Sequence, residues 1–184
     1  MAHYCGVAHY QIPTDGQTLD TSLIPGFDSI EIIPLPLLSK APPYSPKRNA
    51  PTKGDNIGLQ IVDRESGNKV FYAPGLGEVE PHIKEAMEDS DLILVDGTLW
   101  SDDEMQKLEL SDKTSRSMGH LPISGKGNML DILGNLRPDS GKTPRKVFVH
   151  INNTNPILRE DSAERAELAK HGIEVANDGM TFQF

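Results

Sequence analysis

The pattern of apolar and polar positions predicts an α/β protein with buried strands. Residues 92–95 and 147–149 are unbroken apolar runs, which are typical of strands covered on both faces. Residues 29–38 are also extended in character, but Pro34 and Pro36 favour an edge strand because proline cannot donate to a ladder. Residues 57–62 and 70–72 flank a polar turn, and together they predict a hairpin.

Helical periodicity predicts helices between these strands. Apolar residues recur at helical spacing over 79–87 and 127–136. Capping patterns at 101–104 and 161–164 each begin a helix, and Gly172 ends the second of them. The turn at 177–179 predicts a terminal hairpin of residues 173–176 and 180–184. From residue 57 onward the predicted order is ββαβααβαββ, which favours a layered sheet in one domain of residues 1–184.

Composition narrows the function. The chain has 184 residues, a formal net charge of -9 and one cysteine, Cys5. The acidic balance disfavours nucleic acid as a partner. The single cysteine excludes an internal disulfide and a cysteine zinc cluster made by this chain alone. There is neither an apolar run long enough to span a bilayer nor a signal-peptide pattern over residues 1–10, so we expect a cytoplasmic protein with no membrane partner.

Candidate chemistry lies where the buried strands end. Asp96 follows one apolar run, His150 follows another, and His120 lies in the loop between them. Ligands of α/β sheets bind at the carboxyl ends of strands, so the three side chains could face one cleft. One carboxylate and two imidazoles suit a first-row metal such as zinc or iron(II).

Each candidate also has a purely structural interpretation. Asp96 could close an Asx turn before Gly97, His150 could be satisfied by a backbone carbonyl, and His120 could be a solvated loop residue. The polar run at 152–155 has two interpretations as well. Its side chains could be turn formers, or they could line a polar substrate pocket.

Several long motifs resemble the coenzyme PQQ synthesis protein B family. They cover nearly the whole chain, and they are residues 40–46 (KAPPYSP), 54–56 (GDN), 72–77 (YAPGLG), 95–104 (VDGTLWSDDE), 118–125 (MGHLPISG), 150–156 (HINNTNP) and 178–180 (DGM). The resemblance implies the carboxyl-terminal portion of a metallo-β-lactamase-like αββα sandwich. It also implies a role in making pyrroloquinoline quinone (PQQ), either as an iron-dependent hydroxylase of the tyrosine-derived precursor or as a carrier of PQQ or its precursor toward the periplasm.

The resemblance also implies a site. His150 would be a direct metal ligand. Asp96 and His120 would line the same cleft as catalytic residues. Each could be a further ligand, support a ligand through a hydrogen bond, or carry protons, and Asp96 is the expected second ligand. The expected cofactor is one mononuclear iron(II) or zinc ion, at low occupancy in this chain alone. The residues expected to bind substrate are Ser124, Asn152, Asn153 and Asn155.

Two departures from the wider fold qualify these expectations. Family members carry an amino-terminal half with a cysteine-rich zinc loop and an Asp-His metal motif, and this sequence has no Asp-His pair. Related two-metal hydrolases place a bridging aspartate where this chain has Gly75, which makes hydrolysis by a zinc-bound water the least favoured chemistry.

Lys126 and Arg159 are the cations that could offset substrate carboxylates. The other expected partners are further PQQ biosynthesis proteins and a second copy of the chain, because half a sandwich should expose an apolar sheet face and self-associate.

Overall fold

Six strands form one mixed sheet in the computed structural model, which describes residues 12–13, 17–21, 24, 26–41, 44–48 and 50–183. Their spatial order equals their chain order: β1 (Ile30–Leu37), β2 (Asn56–Asp63), β3 (Lys69–Ala73), β4 (Leu92–Asp96), β5 (Arg145–Val149) and β6 (Ile173–Val175). The first three strands are antiparallel, and β3 to β6 are parallel. Cys5, the turn signal at 14–16 and Phe184 lie outside the described residues.

The helices are short and connect the parallel strands. They are α1 (Pro81–Glu88), α2 (Glu104–Lys107), α3 (Ser115–Met118), α4 (Met129–Gly134) and α5 (Ala163–Lys170), with a 3₁₀ turn at Pro156–Leu158. Ser162 caps α5 as predicted, since its side chain accepts a hydrogen bond from the Arg165 amide. No helix among these is long and apolar enough to cross a membrane.

One face of the sheet carries the main core. Alternate side chains of each strand point to this face, and among them Phe71 of β3, Ile93 of β4 and Phe148 of β5 are fully buried. They pack with apolar residues of α1, α4 and α5, namely Ile83, Met87, Met129, Leu133 and Leu168. The described residues therefore supply one sheet and one helical layer, which are two of the four layers of the predicted αββα sandwich.

From β2 to the middle of β4, the opposite face of the sheet is also apolar but is partly only half-buried. In the strand register, Leu59 pairs with Tyr72, Ile61 with Val70, and Tyr72 with Leu94. None of these five residues belongs to the main core cluster, and each keeps intermediate exposure. This half-buried patch is the candidate for the apolar face that half a sandwich was expected to expose, and self-association through it stays a prediction.

Three local predictions were wrong. Residues 180–183, after the turn at 177–179, form no strand. β6 pairs in parallel with β5 instead. Phe182 packs on the guanidinium of Arg145, whose central carbon lies 4.9 Å from the centre of the phenyl ring. The predicted capping box does not form, since Asp103 is the N-cap of α2 and makes no side-chain capping bond. The region taken for a loop before Gly119 contains α3, which has its own capping box from Thr114 and Ser117.

Candidate metal centre

Three ionisable side chains meet at the carboxyl-terminal edge of the parallel strands. Asp96 is the last residue of β4, and His150 directly follows the neighbouring strand β5. His120 comes from the loop between α3 and α4. One potential ligand atom of each residue lies within 4.8 Å of the others. The structure therefore brings together the three side chains that the sequence singled out.

The loop that carries His120 is fixed on both sides of the histidine. Gly119 has a φ of 100°, and a Cβ there would lie 2.8 Å from the Cβ of Lys40, so only glycine fits. The Ser39 hydroxyl donates to the Gly119 carbonyl at 2.8 Å, and the Leu121 amide donates to the Leu76 carbonyl at 2.7 Å. His120 is consequently held against the sheet, and its side chain is only 19% exposed. The interpretation of His120 as a solvated loop residue is thereby excluded.

Asp96 is a buried carboxylate with both oxygens fully engaged. Oδ1 accepts hydrogen bonds from the amide and the hydroxyl of Thr98 at 3.0 and 2.5 Å. Oδ2 accepts from the Leu76 amide at 2.9 Å and lies 2.6 Å from Nδ1 of His120. Burial alone raises the pKa of Asp96, but the hydrogen bond with His120 and the nearby ring of His150 outweigh it, so the pKa of Asp96 lies below the ordinary value.

These contacts define which ring nitrogens are free. An ionised carboxylate only accepts, so His120 Nδ1 must donate to Asp96, and the Thr98 hydroxyl must give its single hydrogen to the same carboxylate. The Thr98 oxygen can then accept from His150 Nδ1, which lies 2.9 Å away. Both imidazoles therefore keep Nε2 as the nitrogen available to a ligand.

His150 has a strained backbone. Its φ is 53°, a left-handed conformation that few residues other than glycine adopt. The Thr98 hydroxyl lies 3.1 Å from the His150 carbonyl as well as next to its ring. Such strain is typical of functional positions. The Asp96 carboxylate, 3.8 Å from the ring, raises the pKa of His150 above its ordinary value, against the opposing effect of partial burial.

The two histidines line a cavity of about 600 Å³. Their rings are stacked, with centroids 5.3 Å apart and planes inclined by 23°. Gly75 lines the same cavity, and a Cβ there would meet no atom within 4 Å. The volume is ordinary for a small-molecule site.

The residues predicted to bind substrate lie elsewhere. Asn153, Asn155 and Ser124 line a separate cavity of about 720 Å³. Asn155 is buried and donates to the Gly97 carbonyl, while the Ser124 hydroxyl donates to the Trp100 carbonyl. The side-chain amide of Asn152 donates to the Thr154 hydroxyl. These bonds fix the backbone of the loops that follow β4 and β5, and these loops adjoin Asp96 and His150. Contact of these residues with substrate stays a prediction.

The residue that sequence reasoning missed is Thr98. It contacts all three members of the cluster, and its amide closes the predicted Asx turn on Asp96. The structural interpretation of Asp96 is thus correct, and its functional interpretation stays a prediction. The signal was present in the sequence, because an Asx turn places residue i+2 beside the carboxylate.

The family assignment follows from comparison with known proteins. Residues 2–151 match the family model described as a beta-lactamase superfamily domain, and the chain belongs to that superfamily. Within it, the chain is similar to coenzyme PQQ synthesis protein B. It is 56% identical over 98% of its length to that protein from Azoarcus sp. strain BH72 and 53% identical to that from Cupriavidus necator.

A solved structure has the same fold. The crystal structure of Zn²⁺-bound PqqB from Methylobacterium extorquens superposes with a TM-score of 0.79 at 30% identity, covering 92% of this chain. The match spans 54% of that structure, and this chain covers 57% of the Azoarcus protein. The predicted metallo-β-lactamase-like fold is therefore confirmed, and the chain spans about half the length of the relatives it matches.

Proposed function

We propose that the chain takes part in PQQ biosynthesis, as the part of a metal-dependent hydroxylase that carries Asp96, His120 and His150. The observation that supports this best is the meeting of these side chains at one strand edge in a chain that is 56% identical to coenzyme PQQ synthesis protein B. The substrate would be the tyrosine-derived PQQ precursor. A zinc-bound relative supports a metal, and we favour iron(II) for the hydroxylation.

The residues present fit such a metal. Imidazole and carboxylate are both ligands of non-haem iron(II), and imidazole also suits zinc. His150 would hold the ion through Nε2, because Thr98 occupies its Nδ1. Asp96 could join only by exchanging one of its four hydrogen bonds, so its first role is to orient its neighbours. Bound iron(II) would supply the redox chemistry of hydroxylation.

His120 is suited to move a proton. Its Nε2 is free at the cavity wall, while its Nδ1 donates to buried Asp96 at 2.6 Å. A proton accepted at Nε2 would give an imidazolium that the Asp96 carboxylate stabilises directly. The pair would therefore act as a general base or acid on a substrate hydroxyl or amine beside His150.

Metal content tests the proposal. We expect wild-type chain reconstituted with iron(II) or zinc to retain metal, at less than one ion per chain, and His150→Ala to retain none. His171→Ala is the matched control, because His171 lies outside the cluster and its ring bonds to Glu167 instead. Equal retention by wild type and His150→Ala would overturn the proposal. Metal-free chain that still binds PQQ tightly, together with wild type that retains no ion, would favour the carrier function.

A further inference from the structure

The wall of the histidine cavity has the opposite charge to the protein as a whole. Lys40, Arg48 and Lys113 line it beside His120 and His150, and no aspartate or glutamate is among its described lining residues. The complete chain has 27 acidic and 18 basic residues. A local group of cations in so acidic a chain creates a potential that attracts anions.

These three cations also lack carboxylate partners within the described part of the chain. Some basic residues elsewhere form salt bridges, as Lys53 does with Glu80 and Lys142 with Asp91. By contrast, Lys40 donates to the Ser117 carbonyl at 2.6 Å, and Arg48 donates to the Ala41 carbonyl at 2.8 Å. Backbone carbonyls fix the position of these two side chains without neutralising their charge.

Each side chain keeps donors for a ligand. Lysine has three N–H donors and arginine five, so one bond to a carbonyl leaves most of them free. Carboxylates match this arrangement, because arginine binds them in a bidentate manner and lysine binds them as a point charge. A second cavity of about 430 Å³ shares Lys40 and Arg48 and is also lined by Arg116 and Glu78, so the positive wall continues beyond the histidines.

We propose that Lys40, Arg48 and Lys113 form a binding site for a small molecule with several carboxylates and hold it against His120 and His150. The inference rests on the proposed function and names the chemical class that this site selects. The cavity volume of about 600 Å³ is in the range of such ligands. The site replaces Lys126 and Arg159 as the source of counter-charge, since neither of them lines this cavity.

Binding of PQQ to the chain in EDTA tests the site independently of any metal. Titration calorimetry should show that wild type binds PQQ and that its methyl ester, which lacks the charged carboxylates, binds about tenfold or more weakly. Lys113→Gln and Arg48→Gln should each weaken PQQ binding about tenfold. Lys126→Gln removes the same charge outside the cavity and should bind like wild type.

The outcomes separate this inference from the proposed function. Lys113 is exposed, so Lys113→Gln should fold normally even if Arg48→Gln, whose side chain bonds to Ala41, does not. Equal binding of PQQ and its ester, unchanged affinity in Lys113→Gln, or equally effective competition by inorganic phosphate would each overturn the polycarboxylate site. Loss of metal retention in wild type would instead count against the metal centre and leave this result standing.

Discussion

Replacing Asp96 by asparagine should destabilise the fold far more than its small change in shape suggests. The carboxylate accepts four hydrogen bonds, from the amide and hydroxyl of Thr98, the Leu76 amide and His120 Nδ1. Asparagine offers one acceptor oxygen and one NH₂ group. In either orientation of the asparagine side chain, its NH₂ group points at a buried backbone N–H, of Thr98 or of Leu76, and two donors cannot form a hydrogen bond.

The magnitude follows from burial and charge. Asp96 is fully buried, so solvent does not screen these interactions. A buried donor left without a partner costs about 1–3 kcal/mol, and bonds to a charged group contribute about 1.5–3 kcal/mol each. Partial relaxation of the loops should recover some of this, and we expect a net loss of about 3 kcal/mol in the free energy of unfolding.

Urea denaturation followed by circular dichroism measures this loss as a lower midpoint at unchanged slope. The matched control is Asp103→Asn, whose carboxylate is 48% exposed and pairs with Lys107 on the helix surface. That change should alter stability by no more than about 0.5 kcal/mol. Equal midpoints for the Asp96 and Asp103 variants would refute the account of Asp96 as the organising carboxylate.

The pH dependence has a definite sign. The pKa of folded Asp96 lies below the ordinary value of about 3.9, so its stabilisation is present above that value and is lost as pH falls through the lowered pKa. The pKa of His150 is raised, so its contribution is complete below about pH 6.5 and is lost as pH rises through the raised pKa. The stability gap between wild type and Asp96→Asn should be widest between these ranges. On the alkaline side it should shrink only in part, because the bonds of Asp96 to Thr98 and Leu76 remain.

Three further predictions concern the surroundings of the site. Gly97→Ala would place a Cβ 2.8 Å from the Cβ of Phe148 and should cost about 1–3 kcal/mol in urea denaturation, whereas Gly134→Ala, in a helix with 3.7 Å of clearance, should not destabilise. Gly75→Asp adds a carboxylate to the histidine cavity at a position where a Cβ meets no atom within 4 Å, so it should tighten zinc binding by calorimetry; unchanged affinity would show that residue 75 does not face the ion. The half-buried apolar face of the sheet around Leu59 should make the chain self-associate in sedimentation velocity, and a monomer at high concentration would contradict this.

The strand-borne half of the site could be predicted from the sequence. Unbroken apolar runs before Asp96 and His150 marked neighbouring buried strands, and parallel strands end at one edge of a sheet. His120 was harder to place, because its position depends on contacts between loops that are distant in sequence. The Ser39 hydroxyl, 80 residues from the Gly119 carbonyl, is one of them.

Other features were beyond local patterns. The turn at 177–179 looked like a hairpin, but β6 pairs in parallel with β5, and the residues after the turn pack on Arg145. The carboxylate of Glu104 was expected to cap its helix. It instead accepts from the Trp100 amide and the Thr154 hydroxyl, so tertiary bonds outweighed the capping signal.

The cationic wall could not be foreseen either. Lys40 and Lys113 are separated by more than seventy positions, and no spacing rule connects them to His150. Only folding places them around one cavity. Sequence reasoning therefore chose Lys126 and Arg159, which lie near the motifs in the chain but do not line the cavity of the two histidines.

Nitrogen NMR of the histidine side chains during zinc titration tests the central claim most directly. With six histidines in the chain, each ring can be assigned by single substitution. We predict that in metal-free protein His120 and His150 carry hydrogen on Nδ1, and that zinc shifts the Nε2 resonance of His150 first, with His120 as the only other ring affected. Zinc-induced shifts at His82 or His171, or none at His150, would contradict the site described by Asp96, Thr98 and the two histidines.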